Sequence, residues 1–308
     1  MNIIIDAHLE NEAEWIETAK TLWTQGKVLH TSEVGPDAGA DFLLLVDGTT
    51  MDHQHRDISH AILSCWAGVD RIIKNAQLPA CPILRATDEG LALGMRDYII
   101  GSILLHVLKF PKYLTDQKNK EWRPESPRLL HGMKATVLGY GQLGSYVART
   151  LLSLGIEVNA VASQSRTDEL GIDIFATTDC HHAVQSRDIL INLLPLTEQT
   201  KNIVNKDLLS NLQPDAIIIN SGRGPSIATQ DLLEWLNRHP SARATLDVFD
   251  TEPLPHDDAT WNHKQIVVTP HIASISRPEW TLPDLFQRAK DFVEGKEIVG
   301  LVQRNKGY

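Results

Sequence analysis

Residues 136–155 read TVLGYGQLGSYVARTLLSLG: a β-type apolar run, three glycines in GxGxxG spacing, and an amphipathic stretch of helical period. The spacing alone is a weak signal. It gains specificity from its place immediately after a strand and at the opening of a helix. Gly139 allows the tight turn, Gly141 lets a pyrophosphate approach the backbone, and Gly144 lets the helix lie close to the sheet. The helix start, at Gln142 and Leu143, offers backbone N–H groups and a partial positive charge to phosphate.

Outward from this stretch, short apolar runs alternate with helical patterns. Downstream lie EVNAVA (157–162), DILINLL (188–194), AIIIN (216–220), ATLDV (244–248) and QIVVT (265–269), which with ATVLG (135–139) make six strands of a doubly wound parallel sheet. Upstream, NIII (2–5), FLLLV (42–46) and AILSC (61–65) show the same rhythm. A helix is expected over 95–110, and the polar stretch 115–132 reads as a hinge. The 308 residues thus divide into two α/β domains of Rossmann-like type, with a C-terminal helix (283–295) too short to stand alone.

Composition excludes several classes. The net charge is −10 with scattered basic residues, which argues against nucleic acid or an anionic membrane surface as partner. Three separated cysteines suggest neither a disulfide framework nor a zinc site and fit a reducing compartment. The N-terminus lacks a basic n-region, and the longest apolar stretch, 98–108, is short of the roughly 20 residues that span a bilayer. A soluble cytoplasmic protein is expected. His53 with His55, His181 with His182, and His256 with Asp257 and Asp258 have no completing ligand set, and solvated loops are the expectation for them.

In a site built for NAD, an acid about 20 residues past the glycines accepts the ribose hydroxyls. Here the second strand ends in Ser163, Gln164, Ser165 and Arg166. Hydroxyls can donate to a 2′-phosphate and a guanidinium can pair with it, so NADPH is the expected cofactor, with NADH possible.

Three ionisable residues follow three successive strands at their carboxyl ends, where open α/β sheets bind ligands. Arg223 lies in SGRGP, Glu252 in the loop beyond Asp247, and His271 in TPHIAS. Singly, each has an ordinary alternative: a surface arginine, a turn residue beside Pro253, one of thirteen histidines. Together they form a working set for reducing a 2-keto acid: a cation for the carboxylate, a proton donor for the carbonyl oxygen, and an acid that orients the donor.

The motifs VLGYGQLG, INLLPLT, INSGRGP, LDVFDTEPLP and TPHIASISRP, with CWAGVD (65–70) and the terminal RNKGY (304–308), resemble the D-2-hydroxyacid dehydrogenase family, glyoxylate/hydroxypyruvate reductase A type. The resemblance implies a flavodoxin-like substrate domain from residues 1–97 and 277–308, with a dinucleotide-binding domain, 98–276, inserted into it. It implies that Arg223 binds the substrate carboxylate and carbonyl, and that His271 is the acid in reduction, hydrogen-bonded by Glu252. It further implies that backbone N–H groups of Gly68 and Val69 hold the carboxylate, with Trp66 and Ala67 beside them. Arg277 could add a second cation. Asp247 would bind the nicotinamide carboxamide, and Leu194, Pro195, Ser221 and Gly222 would line the nicotinamide ribose. Members are usually homodimers through the cofactor domain. Two alternatives stay open from the residues: the same fold acting on another 2-keto acid, and a nucleotide-sensing binding protein.

The chain departs from the pattern at LLLVDGTTM, where Asp47 and Gly48 stand near a position at which related reductases carry tryptophan. Asp97 replaces a frequent Glu in MRDYII and reads as structural.

Overall fold

A computed structural model of the chain describes residues 1–8, 10–47 and 52–304; Gly48 and all of the terminal motif but Arg304 lie outside the described residues. The chain forms two compact units, Met1–Leu91 with Ile275–Tyr308, and Ala92–Ser274. The junctions thus fall at 91/92 and 274/275, whereas the sequence suggested 97/98 and 276/277.

In the first unit, β1 (Ile3–Asp6), β2 (Val28–His30), β3 (Ala40–Leu45), β4 (Ile58–Ser64) and β5 (Ile83–Arg85) form a parallel sheet in the order β2-β1-β3-β4-β5. This is the flavodoxin-type order, whose topological switch lies between β1 and β3. Both faces are buried, as parallel sheets require. Ile3, Ile5, Phe42 and Leu44 enter one core, and Ile4, Leu43 and Leu45 the other, with the period of two that a strand imposes. The sequence runs are therefore continuously apolar. Helices α1 (Glu12–Leu22) and α2 (Asp70–Lys74) flank this sheet in sequence. The C-terminal helix spans Pro278–Val293, five residues earlier than expected, because Pro278 suits a first helical position. Its Leu282, Leu285, Phe286 and Ala289 share the core of Trp15 and Trp23.

The second unit opens with α3 (Glu89–Val107) and α4 (Phe110–Asn119). One helix over 95–110 was expected. The break falls at Lys109, in the left-handed region at φ 60°, and Pro111 opens the next helix. The first residues of the expected hinge are thus helical. At 19 residues, α3 is long and apolar enough to cross a membrane by length and composition, contrary to the reading of 98–108. It places Met95, Ile99, Ile103 and Val107 in the core of its own unit. Near its end His106 meets Thr245 Oγ1 at 2.8 Å, and burial pushes the imidazole down to about 4, so it is neutral at neutral pH.

The sheet of this unit contains β6 (Lys134–Leu138), β7 (Glu157–Ala162), β8 (Arg166–Thr167), β9 (Asp173–Ala176), β10 (Ile189–Asn192), β11 (Ile217–Asn220), β12 (Arg243–Leu246) and β13 (Ile266–Val268). Their order is β13-β12-β11-β10-β6-β7-β9-β8, parallel except for β8, which runs antiparallel to β9. The Rossmann order 3-2-1-4-5-6 is embedded in it, with the switch between β6 and β10. The six expected strands are present. The sequence missed β8 and β9 because two and four residues of mixed polarity carry no readable period. Helices α5 (Gln142–Ser153), α6 (Cys180–Ala183), α7 (Lys206–Leu209) and α8 (Thr229–Arg238) complete the unit.

Candidate active site

The three glycines occupy three different environments. Gly139 takes φ +101°, which an L side chain rarely adopts. A Cβ on Gly144 would stand 1.8 Å from the Gly139 carbonyl oxygen, so only glycine lets α5 approach β6 this closely. A Cβ on Gly141 would meet nothing within 4 Å. That glycine faces space, as a residue must if a pyrophosphate is to approach the backbone. Gly141 is also the N-cap of α5, where it supplies no side-chain acceptor, and no acid stands in the first turn. The N–H groups around Gln142 and Leu143 therefore suit an anion.

At the end of β7, Ser163, Gln164, Ser165 and Arg166 are all exposed. The Ser165 hydroxyl oxygen accepts the Ala176 N–H at 2.9 Å, which leaves its own O–H as a donor. Arg166 begins β8, a strand the sequence did not show. Nor was Asp168 recognised, although it lies two residues beyond Arg166. Its Oδ1 accepts the N–H groups of Leu170 and Ile172 at 2.9 Å each, and its Oδ2 accepts the Tyr140 hydroxyl at 2.5 Å. The acid near this strand end is thus engaged inside its own hairpin.

The catalytic candidates stand on the loops after β11, β12 and β13, all within the second unit. Two glycines set the first of these loops. A Cβ on Gly222 would meet the Leu194 carbonyl oxygen at 2.8 Å, and one on Gly224 would lie 2.0 Å from the Phe249 carbonyl carbon. Arg223 is therefore held between the loop that carries Leu194 and Pro195 and the loop that leads to Glu252. Asn220 donates to the Arg223 carbonyl at 3.3 Å, and the Ser226 hydroxyl donates to the same oxygen. Asn192 in turn donates to Asn220 at 2.8 Å, which ties β10 to β11 beneath the site. Ser221 is buried next to Gly222.

His271 Nδ1 lies 2.9 Å from Glu252 Oε2, while Glu252 Oε1 accepts the Phe249 N–H at 3.0 Å. The carboxylate is thus fixed by its own turn and fixes the imidazole edge that faces it. His271 takes φ +56°, an uncommon conformation for a residue with a side chain. Asp247 explains how it persists. This carboxylate, 1% exposed, accepts Ile272 N–H on Oδ1 and Ala273 N–H on Oδ2, both at 2.8 Å, and the Thr269 hydroxyl at 2.6 Å. Its backbone carbonyl accepts the His271 N–H at 2.8 Å. Thr269 spends its proton on Asp247, so Tyr98 must donate to Thr269 across their 2.6 Å contact. Burial pushes the Tyr98 phenol up to about 12, which keeps that donor protonated. This anchoring role of Asp247 was not foreseen; an acid at a strand end followed by a loop rich in N–H groups is the signal that could have shown it.

In the first unit, Trp66, Ala67, Gly68 and Val69 form the loop from β4 into α2. The Trp66 indole donates to the Val46 carbonyl at 2.9 Å, and Arg85 donates to the Ala67 carbonyl at 2.9 Å. Arg277 is exposed at the N-cap of the C-terminal helix. Asp97 is exposed and pairs with Arg96 at 2.7 Å. The expectation of solvated loops is corrected twice: His181 and His182 are exposed but lie in helix α6, and His53 is not in a solvated loop. It is 1% exposed, with Nε2 2.7 Å from Asp6 Oδ2 and Nδ1 accepting Arg56 Nε at 3.0 Å. Asp6 and Arg56 lie 47 and three residues from it, and no local pattern links the three. Asp47 is buried as well, and accepts the His8 N–H at 3.0 Å.

Residues 100–273 match the family described as D-isomer specific 2-hydroxyacid dehydrogenase, NAD binding domain. The chain is 32% identical to glyoxylate/hydroxypyruvate reductase A of Serratia proteamaculans over 315 aligned residues, the full length of both. It is 35% identical to the protein of that name from Yersinia enterocolitica over 80% of this chain and 81% of the other. Among solved structures, the NADPH-dependent glyoxylate/hydroxypyruvate reductase of Sinorhizobium meliloti in complex with NADP and sulfate superposes with a TM-score of 0.89 at 27% identity, covering 100% of this chain and 99% of that one. The family match over more than half of the chain and the full-length relative at 32% identity show the family: the chain belongs to the D-isomer specific 2-hydroxyacid dehydrogenase family of NAD(P)-dependent oxidoreductases.

Proposed function

We propose that the protein reduces glyoxylate, hydroxypyruvate or a closely similar small 2-keto acid to the D-2-hydroxy acid, with NADPH as preferred cofactor. The observation that carries this reading is the His271–Glu252 pair, which joins the loops after β13 and β12, the latter packed against the Arg223 loop at Gly224, in a dinucleotide-binding unit. The relatives named above carry that activity in their names, and the Sinorhizobium structure holds NADP.

The dinucleotide is held by the backbone around Gly139, Gly141, Gln142, Leu143 and Gly144, by Ser163 to Arg166 at the adenosine end, and by Leu194, Pro195, Ser221, Gly222 and Asp247 at the nicotinamide end. NADPH, when bound, supplies the hydride. Arg223 binds the substrate carboxylate and carbonyl oxygen and stabilises the charge that develops there. Glu252, fixed by the Phe249 N–H, holds the imidazole by Nδ1, so the proton passes from Nε2 to the substrate oxygen. Gly68 and Val69 take the carboxylate on their N–H groups, beside Trp66 and Ala67, and Arg277 adds a second positive charge. These last roles rest on the family resemblance.

The preference for NADPH follows from what Ser165 and Arg166 offer, donors and a positive charge, and from Asp168 being engaged elsewhere. The protein also forms a homodimer through this unit. Phe110 and Leu114, four apart on one face of α4, are half exposed, and Trp122 beyond that helix is 95% exposed, an apolar surface that a second copy would cover.

Purified protein should oxidise NADPH in the presence of glyoxylate or hydroxypyruvate, and His271→Ala should lower kcat by about 10²- to 10⁴-fold. Near wild-type turnover in that variant would contradict the assignment of the proton donor. Arg166→Ala should raise KM for NADPH about tenfold, the loss of one charge-assisted contact, with little change for NADH. Equal changes for both cofactors would remove Arg166 from the 2′-phosphate site. In sedimentation experiments the wild type should run as a dimer and Trp122→Glu as a monomer; a monomeric wild type would end the dimer proposal.

A further inference from the structure

Arg166 and Asp168 stand two residues apart at the start of the β8–β9 hairpin, and on an extended strand residues at that spacing project to the same face. An arginine and an aspartate so placed would ordinarily pair, and the pair would neutralise the cation that a 2′-phosphate needs. Among the described residues no ion pair joins them. Between them stands Tyr140, the residue inside the glycine-rich turn, 9% exposed and packed in the core of its unit. The Arg166 guanidinium lies over its ring, 5.9 Å from the centroid, and its hydroxyl donates to Asp168 Oδ2 at 2.5 Å.

We propose that Tyr140 is a specificity-determining residue for the cofactor: its hydroxyl occupies Oδ2 of Asp168, the oxygen that the hairpin N–H groups leave open, and its ring supports Arg166, so that the guanidinium stays available to a 2′-phosphate. Tyr140 acts through Arg166 and is a positioning residue. The phenol can do this at any physiological pH, because burial and the adjacent carboxylate push it up to about 12. The Tyr140 bond, with the Ile172 and Leu170 N–H groups, in turn holds the Asp168 carboxyl below its ordinary range, so it remains the charged acceptor. The hairpin is braced independently, by Thr167 Oγ1 to Asp173 at 3.0 Å and Ala176 N–H to Ser165 at 2.9 Å. Loss of the phenolic hydroxyl therefore leaves the backbone of the hairpin in place, with Asp168 Oδ1 still on the Leu170 and Ile172 N–H groups, and frees Oδ2 to turn to Arg166.

This inference rests on the proposed NADPH preference, and binding of oxidised cofactors by calorimetry separates the two. Wild type should bind NADP⁺ more tightly than NAD⁺. Tyr140→Phe, which keeps the ring, should weaken NADP⁺ binding by about tenfold, one charge-assisted contact, with NAD⁺ changed less than about twofold. Adding Asp168→Asn to that variant should restore most of the NADP⁺ affinity, because no carboxylate remains to engage Arg166. A purely structural role would weaken both cofactors alike in Tyr140→Phe and would not be rescued; either result overturns the proposal. Unchanged NADP⁺ affinity in Tyr140→Phe, with a wild type that prefers NADP⁺, overturns the Tyr140 assignment alone. Equal wild-type affinities for the two cofactors overturn the cofactor reading together with it.

Discussion

The buried carboxylate of Asp247 is the constraint on which the site depends. A carboxylate taken out of water costs several kcal/mol unless it is hydrogen-bonded. Here the partners are two backbone N–H groups and one hydroxyl, all drawn from the Thr269–Ala273 segment. Meeting the needs of the carboxylate thus dictates the path of that segment. His271 lies inside it and must take a positive φ, a conformation that costs about 1–3 kcal/mol. The bonds to Asp247 offset that cost, and the Nδ1 edge of the ring then meets Glu252.

The rest of the unit supports the same geometry from below. Asn192 and Asn220, buried at the carboxyl ends of β10 and β11, bond to each other across the sheet and carry the loop of Arg223. Gly222 and Gly224 remove the side chains that would push that loop away from its neighbours. Tyr98 reaches from α3 through Thr269 to Asp247, so a helix of the second unit is tied to the same anchor. Three loops that follow three separate strands are in this way brought to one place by short polar contacts and close backbone approach.

Much of this was legible in the sequence, and the boundary of legibility has a physical reason. The strands of both sheets are buried on both faces, so they announce themselves as unbroken apolar runs, and two of the three glycines of GxGxxG, Gly139 and Gly144, meet in the structure the steric demands expected of them. Arg223, Glu252 and His271 could be named because they stand where parallel strands end. What stayed hidden depends on partners distant in sequence. Asp6 and His53 are separated by 47 residues, Tyr140 and Asp168 by 28, and Tyr98 and Thr269 by 171. The short strands β2, β5, β8 and β9 were missed because too few residues express a period. The edge of α3 was misjudged because Gly90 and Gly94 dilute its apolar pattern at the start, where the helix had already begun.

The most direct test of this account is the activity of Asp247→Asn, alone and combined with His271→Ala. An amide cannot accept from both Ile272 and Ala273 N–H groups, so the segment should relax and displace the imidazole from Glu252. A displacement of that kind costs about a hundredfold or more in kcat/KM. Measured at saturating NADPH, so that any contact of Asp247 with the dinucleotide drops out, the account predicts that loss for the single variant, and little further loss when Asp247→Asn is added to His271→Ala, since both remove the same proton donor. Near wild-type kcat/KM in Asp247→Asn, or fully multiplicative losses in the double variant, would contradict it.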